Sequence, residues 1–160
     1  MTKFVQSLRG VALLLVRIGL GAILLLHGWT HWQLQGAQRQ IDHLAQLHAP
    51  YPAVAAWTGI TFELVGGIFL IVGFLTPLIG LCVLLQQILV IVYTNWTKWP
   101  ALLNPDGSYN GGYEYDVALG LLGLVLFLMG GGFAAVDHLF RRRKGEADED
   151  VTQERIPVHV

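Results

Sequence analysis

The stretch VALLLVRIGLGAILLLHGWTHW, Val11 to Trp32, decides the class of fold, because it runs through 22 residues with Arg17 as its only fixed charge. A helix rises about 1.5 Å per residue and the hydrocarbon core is about 30 Å thick, so roughly 20 such residues cross a bilayer. Outward from it, Trp57–Thr76, Leu78–Trp96 and Val117–Asp137 repeat the pattern. Backbone polar groups in lipid must be satisfied within their own segment, so spans of this composition are helices; the period-two alternation of a membrane barrel is absent. The expected fold is all-α, an integral membrane four-helix bundle with spans at about 11–32, 57–76, 78–96 and 117–137, forming one membrane domain over residues 1–140.

Composition agrees. Of 160 residues, 54% are hydrophobic and 13% charged, too apolar for an ordinary soluble domain. Residues 141–160 hold five of the eleven acids and five of the ten bases and no aromatic ring, which predicts a disordered, charged tail. The single cysteine, Cys82, excludes an internal disulfide, dithiol exchange and a cysteine zinc cluster. No basic face with interleaved aromatics is present, so nucleic acid is not expected as a partner; the lipid bilayer is.

Lys3 and Arg9 precede the first span and Arg141, Arg142, Arg143 and Lys144 follow the fourth, whereas the two longer loops offer only Arg39 and Lys98. The positive-inside rule then puts both termini, and the tail, in the cytoplasm. Arg17 interrupts the first apolar run and no small-x-small cleavage site follows His27–Trp32, so that span is expected to be a retained anchor. Trp29, Trp32, Trp57, Trp96 and Trp99 all fall at span ends that this topology places outside. They form either an interfacial aromatic belt or a contact with something planar or with another protein. Between the first two spans, Leu34, Ala37, Ile41, Leu44 and His48 recur at helical spacing before Pro50 and Pro52, predicting a short helix on the outer membrane surface.

Ionisable groups inside a span are costly and mark function by default, which singles out Arg17, His27 and Glu63. Glu63 lies roughly 9 Å below Trp57, and His27 near the same level. Gly59, Gly66 and Gly73 repeat every seven residues with Glu63 on the same side, so close helix packing there would turn the carboxyl inward. It serves either as a structural carboxyl bonded to a neighbouring helix or as a ligand or proton-handling group. His27 and His31, four apart, share one side of a helix; with Glu63 they would supply two nitrogens and one oxygen to a metal, but the pattern lacks a protease-type helix-borne base and no metal is expected. Haem would need an opposing intramembrane histidine, which the second and third spans lack. Arg17 has three options: pairing with Asp137, an internal polar ladder through Gln86 or Gln87 towards Glu63, or snorkelling to the headgroups. Glu114 and Asp116 open the fourth span, where carboxylates favour a helix N-terminus. Gly120 and Gly123 give that span a smooth face, for packing within the chain or for a homo-oligomer.

These residues carry a resemblance to the DoxX family of small four-helix bacterial membrane proteins. LVRIGLG around Arg17 with His27-Gly-Trp29 resembles its first span, Pro50-Tyr-Pro52 with FELVGG from Phe62 and GFLTP from Gly73 its second, and Gly112-Tyr-Glu114 with GGGFAAVD from Gly130 its fourth. The likeness covers about residues 10–140. It implies a bacterial cytoplasmic membrane protein and a place in a membrane oxidoreductase complex: the family is named after a subunit of a thiosulfate:quinone oxidoreductase, similar proteins serve oxidative-stress defence, and distant animal relatives act as chaperones. His31 stands where the family commonly carries a lysine, which replaces a fixed charge by a titratable one.

The resulting expectation is a subunit binding a quinone-type ligand near the outer face, with Glu63 and His27 as proton donors and Trp29, His31, Trp57, Trp96 and Glu114 as ligand-binding residues. Arg17, Gln86, Gln87 and Asp137 form its structural polar network. The chain offers no electron carrier, so a redox-protein partner subunit is implied. The alternative is a non-catalytic scaffold or assembly factor.

Overall fold

The computed structural model describes residues 2–95, 113–132 and 135. The expectations placed on Trp96, Trp99, Asp137 and the tail fall outside them. Among the described residues the chain is all-helical: α1 (Thr2–Trp29), α2 (Ala37–Gln46), α3 (Pro52–Val72), α4 (Thr76–Val90) and α5 (Glu114–Met129), with π-helical turns extending α1 over Thr30–Leu34 and α4 over Ile91–Asn95. Among the described residues three segments, Phe4–Leu34, Pro52–Val72 and Thr76–Tyr93, are long and apolar enough to cross a membrane.

Each long helix buries a narrow stripe. On α1 it runs Leu13, Arg17, Leu20, Leu24, Gly28; on α3 Ala56, Ile60, Glu63, Gly66, Gly67, Leu70; on α4 Thr76, Ile79, Gly80, Val83, Gln87; on α5 Asp116, Leu119, Gly120, Gly123, Leu126. Steps of three and four residues keep a stripe on one side of a helix. Every stripe therefore contains at least one polar side chain among aliphatic ones. The remaining faces expose Leu15, Leu26, Ile68, Leu85 and Leu128, as helices surrounded by lipid do.

The helices join as two tight pairs, α1 with α3 and α4 with α5, while α1–α5 and α3–α4 touch less. Glycine sets both crossings. A Cβ on Gly21 or Gly67 would lie 2.8 Å from the other's carbonyl oxygen, and on Gly80 or Gly123 only 2.6–2.7 Å away, so the backbones meet where no side chain fits. Gly120 and Gly123 thus spend their smooth face on α4 within the chain.

Here the Gly59–Gly66–Gly73 row is corrected. Gly66 packs beside Phe62 and Ile79 and Gly73 against the Arg17 side chain of α1, but Gly59 has nothing within 4 Å of where a Cβ would stand, and the backbone crossing with α1 is made by Gly67. Gly59→Ala is accordingly expected to be neutral or to stabilise by up to about 1 kcal/mol through helix propensity. A thermal unfolding midpoint in detergent lowered by this change would contradict the open space.

Element ends also differ from expectation. Pro52 stands in the first turn of α3, where its missing N–H costs nothing, so the helix starts five residues before Trp57. Gly73, at φ 80°, closes α3, its own amide and that of Phe74 both donating to the Phe69 carbonyl at 2.8 and 2.9 Å. The fourth span was expected to run to Asp137, yet α5 ends at Met129, because Gly130 and Gly132 take φ of 72° and 74°. α2 packs on α3 and crosses this end of the molecule, the α2 end; the opposite end carries the α3–α4 turn.

Candidate functional site

The stripes bring the polar side chains together in two separate places. At the far end, Arg17 is only 2% exposed and Nη1 donates to the Gly131 carbonyl at 2.9 Å. The Gly130–Gly132 break in α5 provides that carbonyl, since a continuing helix would have engaged it. Gly73 makes room for the guanidinium: a Cβ there would sit 2.5 Å from Nη1. Arg17 therefore does not snorkel; it is enclosed by α1, α3 and the end of α5.

At the α2 end, Glu63 is 8% exposed and both its oxygens are engaged. His31 Nδ1–H donates to Oε2 at 3.0 Å, and Gln86 Nε2 donates to Oε1 at 3.1 Å. One carboxyl on α3 thereby ties the end of α1 to α4. The ladder expected from Arg17 through the glutamines is split: Gln86 joins Glu63, and Arg17 belongs to the other end. Gln87, 7% exposed, turns towards α5, where a Cβ on Gly120 would lie 3.5 Å from its own Cβ.

His27 lies one turn before His31, with ring centroids 6.2 Å apart. The Ile23 carbonyl, 3.0 Å from His27 Nδ1, can only accept, so Nδ1 carries the proton and Nε2 of the neutral ring is left with a lone pair. Tyr115 of α5 stacks on this imidazole at 5.7 Å and 28°. Among the described residues no three His, Cys, Asp or Glu side chains come together as a metal site, and the two imidazoles are committed to different acceptors.

These groups line one cavity of about 830 Å³ between α1, α3, α4 and α5, roofed by α2 and the residues after it. Its polar lining includes His27, His31, Glu63, Gln86, Gln87 and Asp116; Leu24, Ile60, Phe62, Leu119 and the rings of Tyr51, Tyr93 and Tyr115 supply apolar wall. A volume within the range of small-molecule pockets, mostly apolar with a few convergent polar groups, is the general form of a ligand site.

Trp29 and Trp57 are not part of it. They are 51% and 49% exposed, with Trp29 stacked edge-on against Trp32 at 5.8 Å, so the planar walls are tyrosine and phenylalanine rather than tryptophan. Nor does Glu114 line the cavity; both its carboxylate oxygens are enclosed without a hydrogen-bond partner among the described residues. Tyr115 and Asp116 were missed as lining residues. Asp116 was legible, since it stands three, four and seven residues before Leu119, Gly120 and Gly123 in one stripe. Nothing local marks Tyr115, which meets His27 only through the placement of α5 beside α1.

Fold and cavity together define a helical membrane protein with an enclosed polar cluster opening into an apolar chamber. The DoxX family model matches residues 12–96, more than half of the chain, and the chain belongs to the DoxX family. No curated protein and no solved structure matches it. The matched region contains α2, α3 and α4 entire and most of α1, including Arg17, His27, His31, Glu63, Gln86 and Gln87.

Proposed function

We propose that this chain is a four-span subunit of an oxidoreductase system in the bacterial cytoplasmic membrane, holding a quinone-type ligand in the 830 Å³ cavity. On this reading α5 is the fourth span, α2 lies along the outer surface, both termini face the cytoplasm, and a redox-protein partner supplies the electron carrier. The observation that carries it is the convergence of an imidazole lone pair, a carboxyl–imidazole couple and two amides on one apolar chamber at membrane depth.

The donor set fits such a ligand. Gln86 Oε1 is enclosed without a partner, and a buried acceptor in that state is costly until a donor reaches it. With Nδ1–H directed at the Ile23 carbonyl, an unprotonated His27 Nε2 can accept the hydroxyl of the reduced ring and take its proton; the Gln87 amide can donate to a carbonyl oxygen. When bound, the ligand supplies two-electron chemistry coupled to protons. Glu63 and His31, 3.0 Å apart, can pass a proton between Oε2 and Nδ1 without moving either helix.

Glu63→Gln tests this. The amide keeps the shape and loses the carboxylate's capacity to hold or release a proton, so quinone-linked redox activity in membranes should fall about 100-fold while the protein still purifies folded. Lipophilic molecules extracted from the wild-type protein should include a quinone. Absence of any quinone together with unchanged redox activity in the variant overturns the proposal. A variant that lowers the yield of a partner complex and leaves turnover intact supports the scaffold role instead.

A further inference from the structure

Beyond Glu63, towards the far end, a second hollow of about 420 Å³ follows the α3–α4 seam, lined by Thr61, Val65, Gly66, Phe69 and Ile79 together with Thr58 and Phe62, which it shares with the main cavity. On the α4 side of the seam the main cavity is walled by Cys82, Leu85 and Leu89. α3 and α4 are consecutive helices joined by a short turn, yet they touch much less than the two tight pairs do. The close backbone crossings lie elsewhere, at Gly67 towards α1 and Gly80 towards α5; in the seam, Gly66 faces the Phe62 ring and the Ile79 side chain, and Phe62 and Phe69 hold the two backbones apart. The seam is open sideways, with Thr61, Val65 and Leu85 exposed along it.

Chemistry along this path changes once. Around Glu63 stand His27, His31 and Gln86, whose Oε1 is enclosed without a partner, with Gln87, 7% exposed, further along the same wall, while Gln40 and His43 belong to the α2 roof. From Phe62 to Phe69 the lining offers only threonine hydroxyls, which helices commonly satisfy with their own carbonyls. A purely polar solute would fill the first part and leave the second bare; a bare hydrocarbon would leave the amides unsatisfied.

We infer that the occupant is a tailed, lipid-borne amphiphile, its hydrogen-bonding head among His27, Gln86 and Gln87 and its hydrocarbon chain laid in the α3–α4 seam over Phe62 and Phe69, entering sideways from the bilayer. The inference rests on the ligand site proposed above and assigns its access route and its tail. Glu63 and Gln87, beside the head, are buried and Thr61, Val65 and Leu85, along the chain's path, are exposed, the order in which a molecule arriving from lipid would fit.

The test compares a decyl-substituted benzoquinone with the same ring lacking the decyl chain, on the full-length protein in lipid nanodiscs, wild type and Val65→Trp. Val65 faces the seam and is exposed, so an indole there fills the second hollow without entering the core. Binding of the decyl compound should weaken about tenfold in the variant, the size of an overpacking effect, and binding of the short compound should not change. In parallel, alkylation of Cys82 by an N-alkyl maleimide should be slowed by the decyl compound in the wild type. Equal binding of the decyl compound to both proteins, with no protection of Cys82, overturns the tail seam and leaves the head site standing. If neither ring binds but co-purified phospholipid or another tailed lipid protects Cys82, the seam is supported and the quinone reading fails.

Discussion

Arg17→Ala should lower the stability of the purified protein by about 3 kcal/mol, read as a drop in the thermal midpoint of the monodisperse species in detergent. The guanidinium is 2% exposed and donates to a carbonyl that exists as a free acceptor only because α5 stops at Met129. Removing it leaves the Gly131 oxygen buried without this donor, and it leaves a hole against Gly73, whose lack of a side chain is matched to the guanidinium. Arg17→Lys should recover little, since one ammonium on a flexible stem does not reproduce the planar fork of donors. Because Arg17 and Glu63 belong to different ends, ligand binding at 20 °C to the fraction that stays folded should be unchanged. A continuous polar ladder would instead transmit the loss to the cavity. A midpoint equal to wild type for Arg17→Ala would show that the far-end cluster contributes nothing to the fold.

The sequence reveals the apolar runs more readily than which face of each is buried. Leu13, Arg17, Leu20 and Leu24 recur at three and four residues, but Leu14, Leu15, Ile18 and Leu25 make the other faces equally apolar, so the burial of Arg17 is decided by packing and not by periodicity. Glu63 lies in the α3 stripe. Helix ends were harder, because Pro52 and Gly130 mark boundaries whose side depends on local backbone: a proline that stops one pattern starts the next helix, and a glycine within an apolar run ends it by adopting positive φ. Pairing was not legible at all. Gly66 and Gly67 are both small and adjacent, 100° apart around the helix, and only the packed structure decides which meets α1. The cavity depends on that choice, since the α3–α4 seam stays open when the close crossings are made by Gly67 with α1 and Gly80 with α5, and Gly66 meets only side chains. Tryptophans were legible as end markers and misleading as ligand walls, because an amphipathic ring at a span end is satisfied by the interface itself.

Gly67→Leu should be strongly damaging, and its effect should reach the site. A Cβ at this position would lie 2.8 Å from the Gly21 carbonyl oxygen and 3.1 Å from the Leu25 amide nitrogen, both backbone atoms that cannot swing aside. The only relief is separation of α1 from α3, costing at least about 3 kcal/mol through lost packing over the whole pair. Glu63 is one turn away on α3, and its bond to His31 crosses the same interface at 3.0 Å. A displacement of 1 Å would take that contact beyond hydrogen-bonding distance, leaving Gln86 as the carboxyl's remaining partner. Gly67→Leu should therefore lose both stability and ligand retention, whereas Gly59→Ala on the same helix should keep the stability. Gly67→Ala provides the graded test, with an intermediate midpoint and partial retention expected from a smaller separation. Should Gly67→Leu keep the wild-type midpoint and still retain ligand, the α1–α3 crossing does not hold the carboxyl–imidazole couple in place. The couple would then owe its geometry to the π-helical turn over Thr30–Leu34, which carries His31 beyond the end of the regular helix.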